Sequence, residues 1–133
     1  VGGIAGHAHC VNDPDSFYGC RNAGTVKAGG SSSSAKVSVG VGGIVGKLMA
    51  HIYSCANYGA VVSENVATNN AASVVGMTRG IKGNNAPHPI ISGCISSGTV
   101  NGTAPSSSKQ MVCANGSPVI SGTTVGGSRP SDL

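Results

Sequence analysis

The residues best suited to chemistry sit near the start of the chain, in His7-Ala8-His9-Cys10, with Asp13 and Asp15 close behind. Two imidazoles one residue apart and a thiolate offer three ligands to a metal, and Zn²⁺ is the ion such a donor set favours. The group has no counterpart further along the chain and lacks the spaced second pair of a structural zinc site. His7, His9 and Cys10 therefore read as a solvated loop, and no metal or other cofactor is expected. His51 and His88 stand singly and read as partly exposed loop histidines.

Other signatures of catalysis fail on spacing. The stretch Gly40-Val41-Gly42-Gly43-Ile44-Val45-Gly46-Lys47-Leu48 has the outline of a phosphate loop. Val41 occupies the place of its first glycine, and Leu48 stands where Ser or Thr would hold Mg²⁺. Gly76-Met77-Thr78-Arg79-Gly80 has the frame of a nucleophile elbow with Thr for Ser, but no strand-to-helix alternation surrounds it. The four acids are Asp13, Asp15, Glu64 and Asp132. A glycosidase needs two carboxylates facing each other across a cleft. Asp13 and Asp15 share one loop and Glu64 lies in another, so no enzyme is expected. Two glycosylation sequons occur, at Asn101-Gly102-Thr103 and Asn115-Gly116-Ser117, the second disfavoured by Pro118.

The cysteines lead from chemistry to architecture. Cys20-Arg21-Asn22-Ala23-Gly24-Thr25-Val26, Cys55-Ala56-Asn57-Tyr58-Gly59-Ala60-Val61 and Cys94-Ile95-Ser96-Ser97-Gly98-Thr99-Val100 share the frame Cys-x-Asn/Ser-x-Gly-x-Val. A second phrase precedes it each time: Val1-Gly2-Gly3-Ile4-Ala5-Gly6, Val41-Gly42-Gly43-Ile44-Val45-Gly46, and the altered Ala71-Ala72-Ser73-Val74-Val75-Gly76. Two phrases recurring in the same order signal stacked structural repeats. The expected fold is all-β, a parallel β-solenoid of about three coils with variable loops. Its units run over about 1–40, 41–70 and 71–104, and 105–133 reads as an irregular C-terminal segment or partial cap.

Each unit reads as strand, loop, strand and turn. The glycine-rich phrase suits a buried strand under close backbone approach, and Phe17, Ile52 and Ile91, three residues before each Cys, start the second strand. Cys20, Cys55 and Cys94 are expected to form a buried ladder of free thiols. Stacked equivalents lie about 4.8 Å apart and point the same way, unlike the closer, converging Cβ atoms of a disulfide. Cys10 with Cys113 is the one pairing left open. Asn22 and Asn57, with Ser96 in the third unit, form a polar ladder by amide-to-amide bonding. Gly24, Gly59 and Gly98 are read as corners with positive φ, followed by Val26, Val61 and Val100 facing inward.

Composition agrees with a thin core. Of 133 residues 22 are Gly, there is no Trp, and charged residues make up 9%. Small and β-branched side chains can fill a solenoid because each coil buries only a narrow strip against its neighbours. The net charge of +4 comes from a scarcity of acids, and the eight Lys and Arg are scattered singly. A nucleic-acid groove would cluster them, so no nucleic-acid partner is expected. No uncharged apolar run reaches the roughly 20 residues that span a bilayer, so no membrane insertion is expected within this segment.

The phrase Gly-Gly-Ile-Ala/Val-Gly followed by Cys-x-Asn-x-Gly-x-Val resembles the GLUG-type repeat of large secreted and surface-anchored microbial proteins. The likeness covers roughly residues 1–104 and departs in the third unit at Ser73 and Ser96. It implies a parallel β-solenoid on a cell surface and carries over no catalytic residue. The functional expectation is a structural or adhesive segment of an extracellular or cell-surface protein, a spacer or filament subunit. Its binding loops would be at 7–16, 27–40 and 77–90. The expected partners are copies of itself or flanking repeats of a longer chain, with a glycan or host-surface protein at the loops. The rival readings are a polysaccharide-active β-helix enzyme or protease accessory domain, and an ice-binding solenoid. The ice-binding reading needs a regular Thr array, of which only Thr25 and Thr99 are in phase.

Overall fold

The computed structural model describes residues 1–9, 16–29, 40–64, 70–81, 88–105, 108–113 and 117–133. The first coil holds β1 (Ala5–His9), β2 (Ser16–Tyr18), β3 (Arg21–Asn22) and β4 (Val26–Ala28). The second holds β5 (Gly40–Gly42), β6 (Val45–Met49), β7 (His51–Tyr53), β8 (Ala56–Asn57) and β9 (Val61–Ser63). The third holds β10 (Asn70–Ala72), β11 (Val75–Thr78), β12 (Ile90–Ser92) and β13 (Ile95–Ser96). Every pairing between these strands is parallel and joins repeat-equivalent residues: Ala5 to Val45 to Val75, Phe17 to Ile52 to Ile91, and Asn22 to Asn57 to Ser96. The chain is an all-β parallel solenoid of about three coils.

The C-terminal segment is more regular than its composition suggests. After α1 (Ser108–Met111), Val112 bridges to Val75, and β14 (Val119–Ser121) and β15 (Thr124–Val125) pair in parallel with β12 and β13. Ile120-Ser121-Gly122 thus repeats Ile91-Ser92-Gly93 one layer up, and Met111 and Ile120 extend the core over the third coil. Residues 105–133, read from the sequence as an irregular segment or partial cap, thus hold two strands in register with the third coil. The phase persists under a shortened loop and without the cysteine that marks it elsewhere.

Two apolar columns fill the interior. The larger contains Ile44, Leu48, Ile52, Cys55, Val74, Val75, Ile91 and Cys94, and the smaller is Val26, Val41, Val61 and Val100. The glycine phrase is not one strand. It bends at residues 43 and 44, so that β5 folds back beside β6. Gly46 and Gly76 make this possible: a Cβ on Gly76 would overlap the backbone of Val41, and one on Gly46 that of Val1.

The corner assignment is also corrected. Gly24, Gly59 and Gly98 do not have positive φ; the left-handed column lies just before each ladder cysteine, at Gly19 (φ 63°), Ser54 (φ 52°) and Gly93 (φ 64°), and continues at Gly122 (φ 58°) before Thr123. Each of these turns hands its backbone N–H to the next coil, from Gly19 to Tyr53 O, from Ser54 to Ser92 O and from Gly93 to Ser121 O. Ser54 is the only L-residue in this column. A left-handed conformation costs an L-residue roughly 1–2 kcal/mol, partly offset by glycine's greater unfolded-state entropy. Ser54→Gly is therefore expected to stabilise the fold by up to about 1 kcal/mol, read as a higher denaturation midpoint at unchanged slope. A clear loss of stability would show that the Ser54 side chain holds the turn.

Candidate functional site

The interior ladders are built by the turn that precedes them. Reversal at Gly19, Ser54 and Gly93 aims the next side chain inward, and the Cys20, Cys55 and Cys94 carbonyls accept from Ala56, Ile95 and Thr124 N–H at 2.8–2.9 Å. The three cysteines lie one above another, with Thr123 next in the column. Their thiols donate to the carbonyl two residues back: Cys20 to Tyr18 O at 3.7 Å, Cys55 to Tyr53 O at 3.4 Å, and Cys94 to Ser92 O at 3.6 Å. All three are free, Cys55 and Cys94 fully buried and Cys20 half-buried at the open end of the stack. Cys113 Sγ lies 3.8 Å from Asn70 Oδ1, while its possible partner Cys10 falls outside the described residues.

Two of the three thiols resist ionisation, whereas the hydrogen bond with Cys55 outweighs burial at Cys94 and lowers that thiol. A hydrogen bond shared with the Cys94 thiol, and then burial, push the Cys55 thiol well above the ordinary range; burial, then the neighbouring Cys55, raises Cys20. For Cys55 and Cys20, a raised folded-state value means that folded and unfolded chains hold these two protons alike below about pH 8.5, where free thiols titrate. Above it the unfolded chain releases protons that the fold retains, so stability falls as pH rises. Between about pH 8.5 and 10 denaturation should show a decline in stability from Cys55 and Cys20, shallower in Cys55→Ala. Rapid native-state labelling of Cys55 and Cys94 at pH 7 would contradict this burial.

The second ladder is polar. Asn22 Nδ2 donates to Asn57 Oδ1 and to Gly24 O, both at 2.8 Å; Asn57 Nδ2 donates to Gly59 O at 2.8 Å and to Ser73 Oγ at 3.1 Å. Each amide thus closes its own turn and ties it to the coil above. Ser96, next in register, is fully buried, and its hydroxyl has no partner among the described residues.

Outside, the structure brings together residues that the sequence reading passed over. Tyr18 and Tyr53 stack at 4.9 Å with rings 16° apart, and Ser92 and Ser121 continue their column, linked by a 3.1 Å hydrogen bond. Tyr two residues before Cys in consecutive units was the signal. His7 and His9 lie on one exposed face of β1 with ring centres 5.8 Å apart. Burial, with the charges of Lys47 and His9, lowers His7. No group of three His, Cys, Asp or Glu suited to a metal occurs among the described residues, and Cys10, Asp13 and Asp15 lie outside them. His51 is not a loop histidine. It opens β7 and is buried, and its Nδ1 accepts the Ile90 N–H at 3.0 Å. This acceptor role requires the neutral ring with its proton on Nε2.

Of the two sequons, Asn115 falls outside the described residues. Asn101 is exposed with φ 48° and Gly102 follows at 78°, a tight reversal closed by mutual hydrogen bonds of Val100 and Thr103. Paired positive φ values are those of a type I′ turn. Asn101 Oδ1 accepts from Ser63 N–H at 2.8 Å. Lys27 and Glu64 form an exposed 2.7 Å ion pair between the first two coils, a contact of small net worth. The expected binding loops lie largely outside the described residues. Among the described residues no helix is long and apolar enough to cross a membrane. No family model, curated protein or solved structure matches the chain.

Proposed function

We propose that this chain is a non-catalytic structural and adhesive segment of an extracellular or cell-surface protein, a stiff spacer that presents variable loops. The observation that carries this reading is the register itself. Repeat-equivalent residues stack coil upon coil, while differences in unit length are confined to the connections between strands. The side chains with reactive groups are spent inside: thiols on carbonyls, amides on the ladder, His51 on a backbone N–H. The resemblance of the two phrases to the GLUG-type repeat points the same way. Loops 7–16, 27–40 and 77–90 are the proposed contact regions for a glycan or host-surface protein, with the Tyr18–Tyr53 stack beside the first of them.

The test is binding without turnover. The immobilised 133-residue chain is screened against glycans and extracellular-matrix proteins, and in parallel against uronate polysaccharides for cleavage. Retention that is lost when one of the three loops is replaced supports the reading. Cleavage of a polysaccharide overturns it in favour of the enzymatic rival, and thermal hysteresis would do so in favour of the ice-binding one.

A further inference from the structure

We propose that the first-coil end of the stack is a docking face for one further β-coil of the same Cys-x-Asn-x-Gly pattern, linked through a loop. This deepens the structural reading above by naming the partner.

The strands β1, β2, β3 and β4 are all outermost in their sheets and lie at the same end of the stack. Val1 and Ile4 are about half exposed there, and Tyr18 is 69% exposed. Unpaired edges and apolar side chains alone do not choose an occupant. The glycines do. In the second and third coils, Cβ atoms on Gly46, Gly59, Gly76 and Gly98 would each run into backbone of the coil below. At the equivalent first-coil positions a Cβ on Gly6 would meet nothing within 4 Å, and one on Gly24 only Asn22 Oδ1 at 3.6 Å. Among the described residues no contact demands glycine at either place. A coil seated below would demand it at both.

Asn22 specifies the occupant further. In the ladder, Asn57 Oδ1 accepts the Nδ2 of the coil below, whereas among the described residues Asn22 Oδ1 accepts from Gly24 N–H alone, at 3.2 Å. The fitting coil therefore brings an asparagine amide to this position and a backbone carbonyl under Gly24. A second copy of the chain does not meet that description. Its last layer has Val125 in the ladder position and Cys113 where Gly46 and Gly76 stand, and its closing Gly126 and Gly127 turn left-handed, at φ 95° and 106°. A loop-linked coil is also favoured over a separate one. It pays loop closure alone, while association in trans pays lost translation and rotation.

The experiment extends the full chain by placing a copy of residues 41–70 directly before Val1. Cys20 should then label as slowly as Cys55, and amides of residues 5–9 and 16–18 should exchange about tenfold or more slowly. Gly24→Val, silent in the 133-residue chain, should restore fast Cys20 labelling in the extended chain and lower its melting temperature. The proposal fails if Cys20 labelling and amide exchange are unchanged by the extension, including the case where the added segment stays unstructured. It fails also if Gly24→Val is equally harmless in both chains. End-to-end polymerisation of the 133-residue chain in sedimentation would overturn it too, because the C-terminal layer would then serve as the occupant. None of these outcomes depends on glycan binding, so the adhesive reading stands or falls separately.

Discussion

Replacing Gly59 with valine is expected to cost about 4 kcal/mol or more, enough to abolish the cooperative transition of a small solenoid. The same change at Gly24 should stay within about 0.5 kcal/mol. Both positions belong to one repeat frame, and neither has positive φ, so conformational strain does not separate them. The difference is what lies beneath. A Cβ on Gly59 would overlap the Gly24 carbonyl oxygen, a backbone atom with no rotamer to escape into. The two coils are pinned on either side of that contact by Tyr58 N–H to Asn22 O and Val26 N–H to Ala60 O, both 2.8 Å. Relief would require separating strands whose spacing the hydrogen bonds set at about 4.8 Å. Tyr58→Ala, which trims a half-buried ring beside the same turn, is expected to cost far less than Gly59→Val. Urea denaturation of the three variants decides the matter. Comparable losses for Gly24→Val and Gly59→Val would mean that the coil-to-coil contact is not what keeps glycine there.

Much of this was legible because a solenoid writes its register into spacing. The recurrence of Cys20, Cys55 and Cys94 located the stacked turns, and the hydrophobe three residues earlier located the strand before each. What spacing cannot distinguish is why a glycine recurs. Positive φ at Gly19 and Gly93 and backbone overlap at Gly59 and Gly98 leave the same letter in the sequence. Ser54, breaking the glycine column just before the cysteines, hid the true left-handed position. The last layer was missed for a related reason. Thr123 and Val125 replace the Cys and Asn that define the frame, although Ile120-Ser121-Gly122 repeats Ile91-Ser92-Gly93 letter for letter. His51 was misplaced because β7 follows β6 after Ala50 alone, leaving no loop for it to occupy.

The third unit's two departures from the repeat, Ser73 for glycine and Ser96 for asparagine, are expected to behave as a single substitution in a double-mutant cycle. In the second coil the two places share one volume beneath the next coil's backbone: a Cβ on Gly43 would overlap Asn57 Cγ and the Ser73 carbonyl oxygen, and in the first a Cβ on Gly3 would overlap the Gly43 carbonyl oxygen and come within 3.0 Å of Asn22 Cγ. Asparagine in the ladder therefore requires glycine in the phrase. Ser96 is shorter, which leaves room for the Ser73 Cβ, and the Ser73 hydroxyl then accepts the Asn57 Nδ2 proton that a ladder asparagine would have taken. Ser96→Asn alone crowds Ser73 and should cost about 1–3 kcal/mol, the range for overpacking a core. Ser73→Gly alone leaves Asn57 Nδ2 with one acceptor fewer and adds backbone freedom to the unfolded chain, a loss of about 1–2 kcal/mol. Together they rebuild the arrangement of the first two coils, and the double variant should return close to the parent, a favourable coupling of about 2–5 kcal/mol that recovers both single losses. Ser96→Ala is the control. It removes a buried hydroxyl without a partner and should be neutral or stabilising by up to about 1 kcal/mol. Strict additivity of the two single changes would show that Ser73 and Ser96 do not share a volume, and that the third unit departs from the repeat twice rather than once.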